Sequence, residues 1–413
     1  MNAMPGDGHD TLWKPDGALL FAIAALLGLG LVMVASASVG FAERSTGDAL
    51  YYAKRQAVYA LLALGLLLPL LQAPLALWQR WRLPLLLGAL LLLGLVLVPG
   101  VGRMVNGSAR WLNLGPVQLQ VSEVAKFAMV VYTAGFLAQH RERLHTLGAS
   151  LRLLGVLAVT GLLLLLEPDF GATAVIAGTV LGMMFLAGMP LWLFAVISSA
   201  MGALLAGVAV LEPYRLTRLT SFMNPWDDPF RTDFQLSQAL IAFGRGEWLG
   251  TGLGASIQKL HYLPEAHNDF LFAVLGEELG LLGVLSVIGL FMLLLRGTFR
   301  VGARSLLAGR AFGGFLAYGV GLWFCLQALV HMGVNLGALP TKGITLPLMS
   351  YGGSSLLVMG MTLALLLRAD RESWVAVPLP ETAPAPARTV LAAVRQPPLP
   401  QASGIYALKA VRP

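Results

Sequence analysis

The chain has 413 residues, of which 57% are hydrophobic and 12% charged. A soluble domain carries about 25% charged residues, so this composition excludes an ordinary soluble fold and predicts an integral membrane protein. The formal net charge of +7 is accounted for by loop arginines that fix orientation and meet anionic lipid, and no nucleic-acid recognition module accompanies it.

A membrane-crossing helix needs about 20 mostly apolar residues. Gly17 to Ala42 is uncharged and supplies the first span, and it is too long for the apolar core of a cleavable signal peptide. Gln56 to about Trp78 supplies the second and Leu83 to Gly102 the third. The fourth runs from Val121 to Gln139 and carries Glu123 and Lys126 inside it. The fifth, Leu151 to Leu166, stops at Glu167-Pro168-Asp169. Phe170 to Leu211 then holds no charge across 42 residues, twice one crossing, and Gly188-Met189-Pro190 breaks it into spans six and seven. The eighth is expected from Phe270 to Arg296, the ninth from Ala311 to Val334 and the tenth from Ile344 to Leu367. Cys325, the single cysteine, sits in an apolar run and reads as a small buried hydrophobe.

The expected fold is therefore all-α, with about ten transmembrane helices and a large extracytoplasmic loop between spans seven and eight, at about residues 212–268. Arg80, Arg82, Arg141, Arg143, Arg152, Arg296, Arg300, Arg304 and Arg310 outweigh the basic residues of the opposite short loops, which places both termini in the cytoplasm. The chain then divides into a cytoplasmic N-terminal segment (1–16), a membrane domain (17–372) and a tail (373–413). The tail is rich in proline and alanine, cannot bury a core, and is expected to be disordered.

Five stretches hold side chains that could do chemistry. Leu263-Pro264-Glu265-Ala266-His267-Asn268-Asp269-Phe270 crowds ionisable groups at the mouth of a membrane helix, where they are costly, and Asp269 is the candidate for proton chemistry on a membrane-bound substrate. Arg110 beside Trp111 pairs a cation with an interfacial aromatic, fit for a phosphate headgroup; an ordinary interfacial belt has the same composition. Glu123 and Lys126 share a helix face at i and i+3 and either line a polar cavity or merely hold helices together. Asn224-Pro225-Trp226-Asp227-Asp228-Pro229 and Ala242-Phe243-Gly244-Arg245-Gly246-Glu247-Trp248 mix aromatic, amide and acidic groups, as sugar-contacting surfaces and folded loops both do.

The last stretch, Asn335 to Ser355, contains Pro340, Pro347 and Gly352-Gly353 between serines, which disfavours a continuous helix; a mere kink is the alternative. Broken backbone at membrane depth lines a protein-buried or wet cavity. Its exposed N–H groups, with Lys342, suit an anionic diphosphate, which makes Ser350, Gly352, Gly353, Ser354 and Ser355 candidate substrate contacts. No nucleophile motif is evident. Asp227, Asp228, Asp269 and His267 match no known metal spacing, and the need for a divalent cation (Mg or Mn) is left open.

Taken together, these motifs resemble the SEDS family, and its division branch more than its elongation branch. The resemblance spans about residues 17–372 and rests also on Gly107-Ser108-Ala109-Arg110-Trp111-Leu112-Asn113-Leu114-Gly115-Pro116 and Ser122-Glu123. It implies a peptidoglycan glycosyltransferase of the bacterial inner membrane that polymerises lipid II at the septum. Its implied partners are a class B penicillin-binding protein transpeptidase, other divisome membrane proteins and membrane lipids. By that resemblance Asp269 falls on the proposed catalytic aspartate, Glu123 and Lys126 on an intramembrane charged pair, and Arg110 and Lys342 on important basic positions. His267 is expected to orient or pack. Asn268 replaces a usual Thr, Val121 a common Pro, and His261 stands where relatives often carry Glu, which weakens any role for a second upstream carboxylate. A lipid II flippase and a non-catalytic division scaffold are the alternative functions.

Overall fold

The computed structural model describes residues 13–105, 108–113, 115, 118–144, 147–210, 225–227, 234–260, 262–340 and 343–374. Lys342, His261, residues 1–12, most of the expected loop before residue 234 and the tail beyond residue 374 lie outside them.

Helix α1 (Gly17–Thr46) starts where Asp16 accepts hydrogen bonds from Ala18 N and Leu19 N, and stops at Gly47 in the left-handed conformation. Helices α2 (Tyr51–Gln72) and α3 (Leu75–Val96) follow. Both lie several residues N-terminal to the expected second and third spans, because Ala73-Pro74 separates them and Pro74 has no N–H with which to continue α2. Arg80 and Arg82 consequently sit within α3 rather than in a loop. Arg82 reaches across to a neighbouring helix, to the carbonyl of Gly135 (2.7 Å) and to Gln139 Oε1 (2.5 Å), so its charge is met by polar groups.

Residues 102–120, expected as a loop, form a small antiparallel sheet of β1 (Gly102–Val105), β2 (Ser108–Asn113) and β3 (Gln118–Gln120), in spatial order β1-β2-β3. Arg103 opposes Trp111, and Trp111 opposes Gln120. Strand β3 feeds directly into α4 (Val121–His140), which ends in a short 3₁₀ turn at Arg141–Arg143. Then come α5 (Leu147–Leu166), α6 (Phe170–Leu186), α7 (Leu191–Val210), α8 (Phe234–Gly246), α9 (Leu271–Leu307), α10 (Ala311–Asn335) and α11 (Gly353–Ser373).

Among the described residues seven helices are long and apolar enough to cross a membrane: α1 to α4 and α9 to α11. The other three expected spans correspond to shorter apolar stretches, Ser150–Leu166, Phe170–Leu186 and Leu191–Leu204. The centre of the bundle is α4, whose apolar window is 83% buried against 22% for α2 and for α3. It packs on α3, α6 and α10, while α9 packs on α1, α8 and α10, and α11 packs on α2.

Two departures from the expected spans shape the site. Helix α9 runs 37 residues, well past Arg296, and is broken at Gly280, whose φ of 64° only glycine adopts readily. The turn after α8 fills the break: Glu247 O and Trp248 O accept from Leu281 N and Leu282 N, while Thr251 N and Gly252 N donate to the carbonyls of Glu277 and Glu278. Four backbone groups freed at the kink thus find partners, which is what lets a helix break inside the bundle. Gly250 permits this close approach, since a Cβ there would lie 2.1 Å from Glu278 O. The second departure is the tenth span, which begins at Gly353 rather than Ile344 and leaves residues 343–352 irregular, as their Pro and Gly content favours.

Candidate functional site

The turn carrying Asp269 and the irregular segment 343–352 form one structure. Tyr351 N donates to His267 O (3.1 Å), and Ser350 Oγ donates to Asn268 O (2.8 Å) while accepting from Leu346 N (2.9 Å). Gly343 faces the Asp269 carboxyl so closely that a Cβ there would lie 3.0 Å from Oδ2. The two motifs are 70 or more residues apart in sequence, yet these bonds tie them together at His267 and Asn268, the two residues just ahead of Asp269.

Helix α2 and helix α10 brace this pair from opposite sides. Gln56, buried in α2, donates to Ser350 O (3.1 Å) and accepts from Gly352 N (3.4 Å). On α10, Gln327 Nε2 donates to Thr345 O (2.9 Å), and His331 Nδ1 lies 2.6 Å from Ile344 O, placing its proton on that nitrogen. Gly353 packs against the Tyr59 ring so tightly that a Cβ would come within 2.4 Å of it.

Glu123 and Lys126 pair at 2.6 Å, both nearly inaccessible, and Lys126 Nζ also reaches Gln327 Oε1 (2.7 Å) and lies over the Trp323 ring. The gap beside Lys126, lined by Met129, Val130, Ile176, Thr179, Val180 and Trp323, is too narrow to hold a water molecule. The pair therefore communicates with the Asp269 region through Gln327 and Thr345.

Arg110, on β2, donates from Nε to Glu167 O (3.1 Å) and from Nη2 to Pro168 O (2.5 Å), which fixes it at the corner between α5 and α6. That corner abuts the irregular segment, because Gly171 packs against the Ile344 side chain. Glu167 is buried there with no hydrogen-bond partner for either carboxyl oxygen among the described residues. Burial first, and the nearby Asp169 second, push its pKa up to about 8 against the opposing pull of Arg110.

His267 is buried in an aromatic box of Phe41, Tyr52 and Tyr351, with ring centroids 5.5, 4.7 and 5.6 Å away. Burial lowers its pKa to about 4, so the ring is neutral near pH 7. Ser354 Oγ accepts from Gln120 N (3.2 Å), joining the sheet to the start of α11, and Ser355 Oγ turns back to Met359 Sδ (3.8 Å). Gly352 and Gly353 open α11 without a side-chain cap. The structure thus gathers Asp269, His267, Ser350, Gly352 and Gly353 directly, brings Arg110 to the adjoining corner, and holds Glu123 and Lys126 in a dry layer behind them.

The model of the FtsW/RodA/SpoVE family, described as a cell cycle protein, matches residues 17–374. The chain belongs to that family. It is 53% identical over 360 residues to a protein of Nitrosococcus halophilus named probable peptidoglycan glycosyltransferase FtsW, covering 87% of this chain and 93% of that one. It is 54% identical over 366 residues to a protein of the same name from Thioalkalivibrio sulfidiphilus, covering 88% and 91%. Among solved structures, it superposes with a TM-score of 0.70 and 31% identity on a chain from a study of how a peptidoglycan synthase complex coordinates polymerization and crosslinking, covering 87% and 98%. The rod shape determining protein RodA of Thermus thermophilus matches with a TM-score of 0.65 and 29% identity, covering 88% and 99%.

Residues that motif reading did not single out are Gln56, Gln327, His331 and Glu167, and Asn335 stood only as the first residue of the last stretch, with no role. The α10 residues left a trace: Gln327, His331 and Asn335 recur every fourth position in an otherwise apolar span, a polar stripe on one helix face.

Proposed function

We propose that this chain is a peptidoglycan glycosyltransferase that polymerises lipid II into glycan strands during septal wall synthesis, with Asp269 as its general base. The observation that carries the reading is the bonding of the Asp269 turn to the irregular segment ahead of α11, which puts a carboxylate beside backbone suited to an anion. The names of the family members at 53 and 54% identity support the same class of reaction.

In this scheme an acceptor sugar hydroxyl gives its proton to Asp269 as its oxygen attacks the anomeric carbon of the donor. The bond from that carbon to the diphosphate breaks, and polyprenyl diphosphate leaves with both electrons. Configuration inverts, since one displacement suffices and no protein nucleophile is invoked. Arg110, Lys342 and the uncapped N–H groups at Gly353, Ser354 and Ser355 meet the growing negative charge, which stabilises the transition state more than the ground state. His267, neutral and boxed by aromatic rings, shapes the turn rather than moving a proton. The excess of arginine on the loops and helix ends opposite Asp269 supports cytoplasmic termini in the inner membrane and an external site, where headgroups react while their tails remain in lipid. A class B penicillin-binding protein is the proposed partner, supported by the likeness to a chain studied in a complex that joins polymerization and crosslinking.

Reconstitution in vesicles with fluorescent lipid II separates this reading from translocation. Wild type makes glycan strands and Asp269→Asn does not, with both correctly inserted. Lipid II crossing the bilayer at equal rates with both variants, and no strands from either, would establish a flippase instead.

A further inference from the structure

Asn335, the last residue of α10, is completely buried and makes three hydrogen bonds. Its Nδ2 donates to the carbonyl of Asp269 (2.9 Å) and to that of His331 (2.9 Å), and its Oδ1 accepts from Ala273 N (3.2 Å). Ala273 N and Asp269 O are four residues apart, the separation that a helical hydrogen bond would close. Here they are not bonded to each other: Ala273 N donates to Phe270 O (3.1 Å) and to the Asn335 carboxamide, which in turn donates to the Asp269 carbonyl. The first α-helical bond of α9 is instead Val274 N to Phe270 O (3.3 Å), and Asp269 stays outside the helix.

A carboxamide is the one side-chain group that carries a donor and an acceptor in the geometry of a peptide unit. It can therefore extend the helical ladder by one link without letting the chain wind up around Asp269. An apolar residue would leave the Asp269 carbonyl without this donor and loosen the first turn. The alternative conformation is close at hand: one more helical turn that takes in Asp269 and swings its carboxyl away from Gly343.

Asn335 also completes a set. From the same α10 face, Gln327 and His331 hold Thr345 and Ile344, the backbone next to Gly343. One rigid helix thus grips the turn bearing Asp269 with its last polar residue and the facing segment with the two before it. The four-residue spacing of α10 sets the distance across the site together with the direct bonds from Ser350 and Tyr351. Catalytic geometry depends steeply on such placement, and a displacement of about 1 Å can cost about 10²-fold in rate.

We propose that Asn335 is a positioning residue for the transfer reaction, acting as a peptide surrogate that keeps Asp269 out of α9 and facing the segment at Gly343. This rests on Asp269 being the base. The device is built from groups that do not touch substrate, so it controls turnover and not affinity.

The test uses the full chain with its transpeptidase partner, assaying polymerisation of purified lipid II by wild type, Asn335→Asp, Asn335→Leu and, separately, Asp269→Asn. Activities are normalised to folded protein, measured by size exclusion and thermal unfolding in detergent. The expected result is a fall in kcat of about 10²-fold for Asn335→Leu with KM within about threefold of wild type. Asn335→Asp keeps the acceptor for Ala273 but, when ionised, lacks the donor for Asp269. It is expected to fold as wild type does and to recover towards wild-type rate, measured at the same pH, as the medium is acidified and its carboxyl regains a proton. Wild-type kcat in both variants, a loss that disappears on normalisation to folded protein, or a rise in KM without a fall in kcat would each overturn the proposal. An active Asp269→Asn would overturn the underlying base assignment instead, whereas an inactive Asp269→Asn with fully active Asn335 variants would remove only the positioning role.

Discussion

At the end of the bundle where α9 and α11 finish, buried carboxylates are saturated. Asp370 receives Arg304 on one oxygen and Trp13 Nε1 (2.9 Å) on the other. Glu372 receives Leu75 N (3.0 Å), Arg368 (2.8 Å) and Arg310 (2.9 Å). At the opposite end, where α9 and α11 begin, the balance is mixed: Glu277 and Glu278 are buried and paired with Arg245 and Lys259, but other charged groups are not matched in this way. Glu167 has no partner for either oxygen among the described residues, and neither has Glu123 Oε2. Arg110 spends its N–H groups on carbonyls, and Arg55 donates to the hydroxyls of Tyr51 (2.8 Å) and Tyr59 (3.3 Å), all neutral acceptors. One end is a clasp that joins the chain's N-terminal segment to three helices. The other retains guanidinium charge that protein carboxylates do not neutralise, which is the condition for receiving an anionic diphosphate.

The largest expected stability effect lies in the dry layer between the two ends. Lys126→Met leaves the Glu123 carboxylate buried without its cation, and loss of one partner of a buried pair costs about 3–5 kcal/mol. Thermal unfolding of the detergent-solubilised protein should show a large drop, and the double variant Glu123→Gln, Lys126→Met should regain most of it. Equal melting of wild type and the single variant would mean that the pair contributes nothing to the fold.

Asp370→Asn tests the clasp. It removes a charge-assisted bond to Arg304, worth about 1.5–3 kcal/mol, and should lower the unfolding temperature while leaving the rate per folded molecule unchanged. A selective loss of turnover in that variant would erase the contrast between the two ends.

A further effect is a slope. Glu167 in the folded chain holds its proton up to about pH 8, whereas the ordinary carboxyl releases it near 4.5. The folded state therefore binds the extra proton between those values, and stability declines as pH rises through that window. Glu167→Gln should flatten the decline, read as unfolding temperature at pH 5 and at pH 8. Parallel slopes would show the carboxyl to be ionised and paired in the fold. His267, neutral above about pH 4, works the other way and subtracts stability only as pH falls below 6.5.

Much of this organisation was legible in the sequence, where local chemistry decides it. The Gly188-Met189-Pro190 hairpin, the stop at Glu167 and the irregular run before α11 follow from glycine, proline and the length of a membrane crossing. The break at Gly280 was not legible, because its cause is the turn at residues 247–252 docking into it from outside the helix. The sheet was missed because its strands are only three to six residues long and bury little. Arg80 and Arg82 were misplaced because long arginine stems let a charged residue belong to a membrane helix while its head reaches polar groups. Of the site, Asp269 and Arg110 stood out by charge in apolar surroundings. Gln56 and Gln327 did not, and Asn335 entered only as the edge of the last stretch, since each looks like any buried amide until the backbone it holds is known.

The most direct measurement is glycan synthesis from purified lipid II by the Asp269→Asn protein with its transpeptidase partner, taken alongside the amount of lipid II it binds. Loss of the base should lower the rate by about 10²–10⁴-fold with binding retained. A rate within tenfold of wild type, or an activity loss matched by an equal loss of bound lipid II, would contradict the assignment of Asp269 as the group that takes the proton.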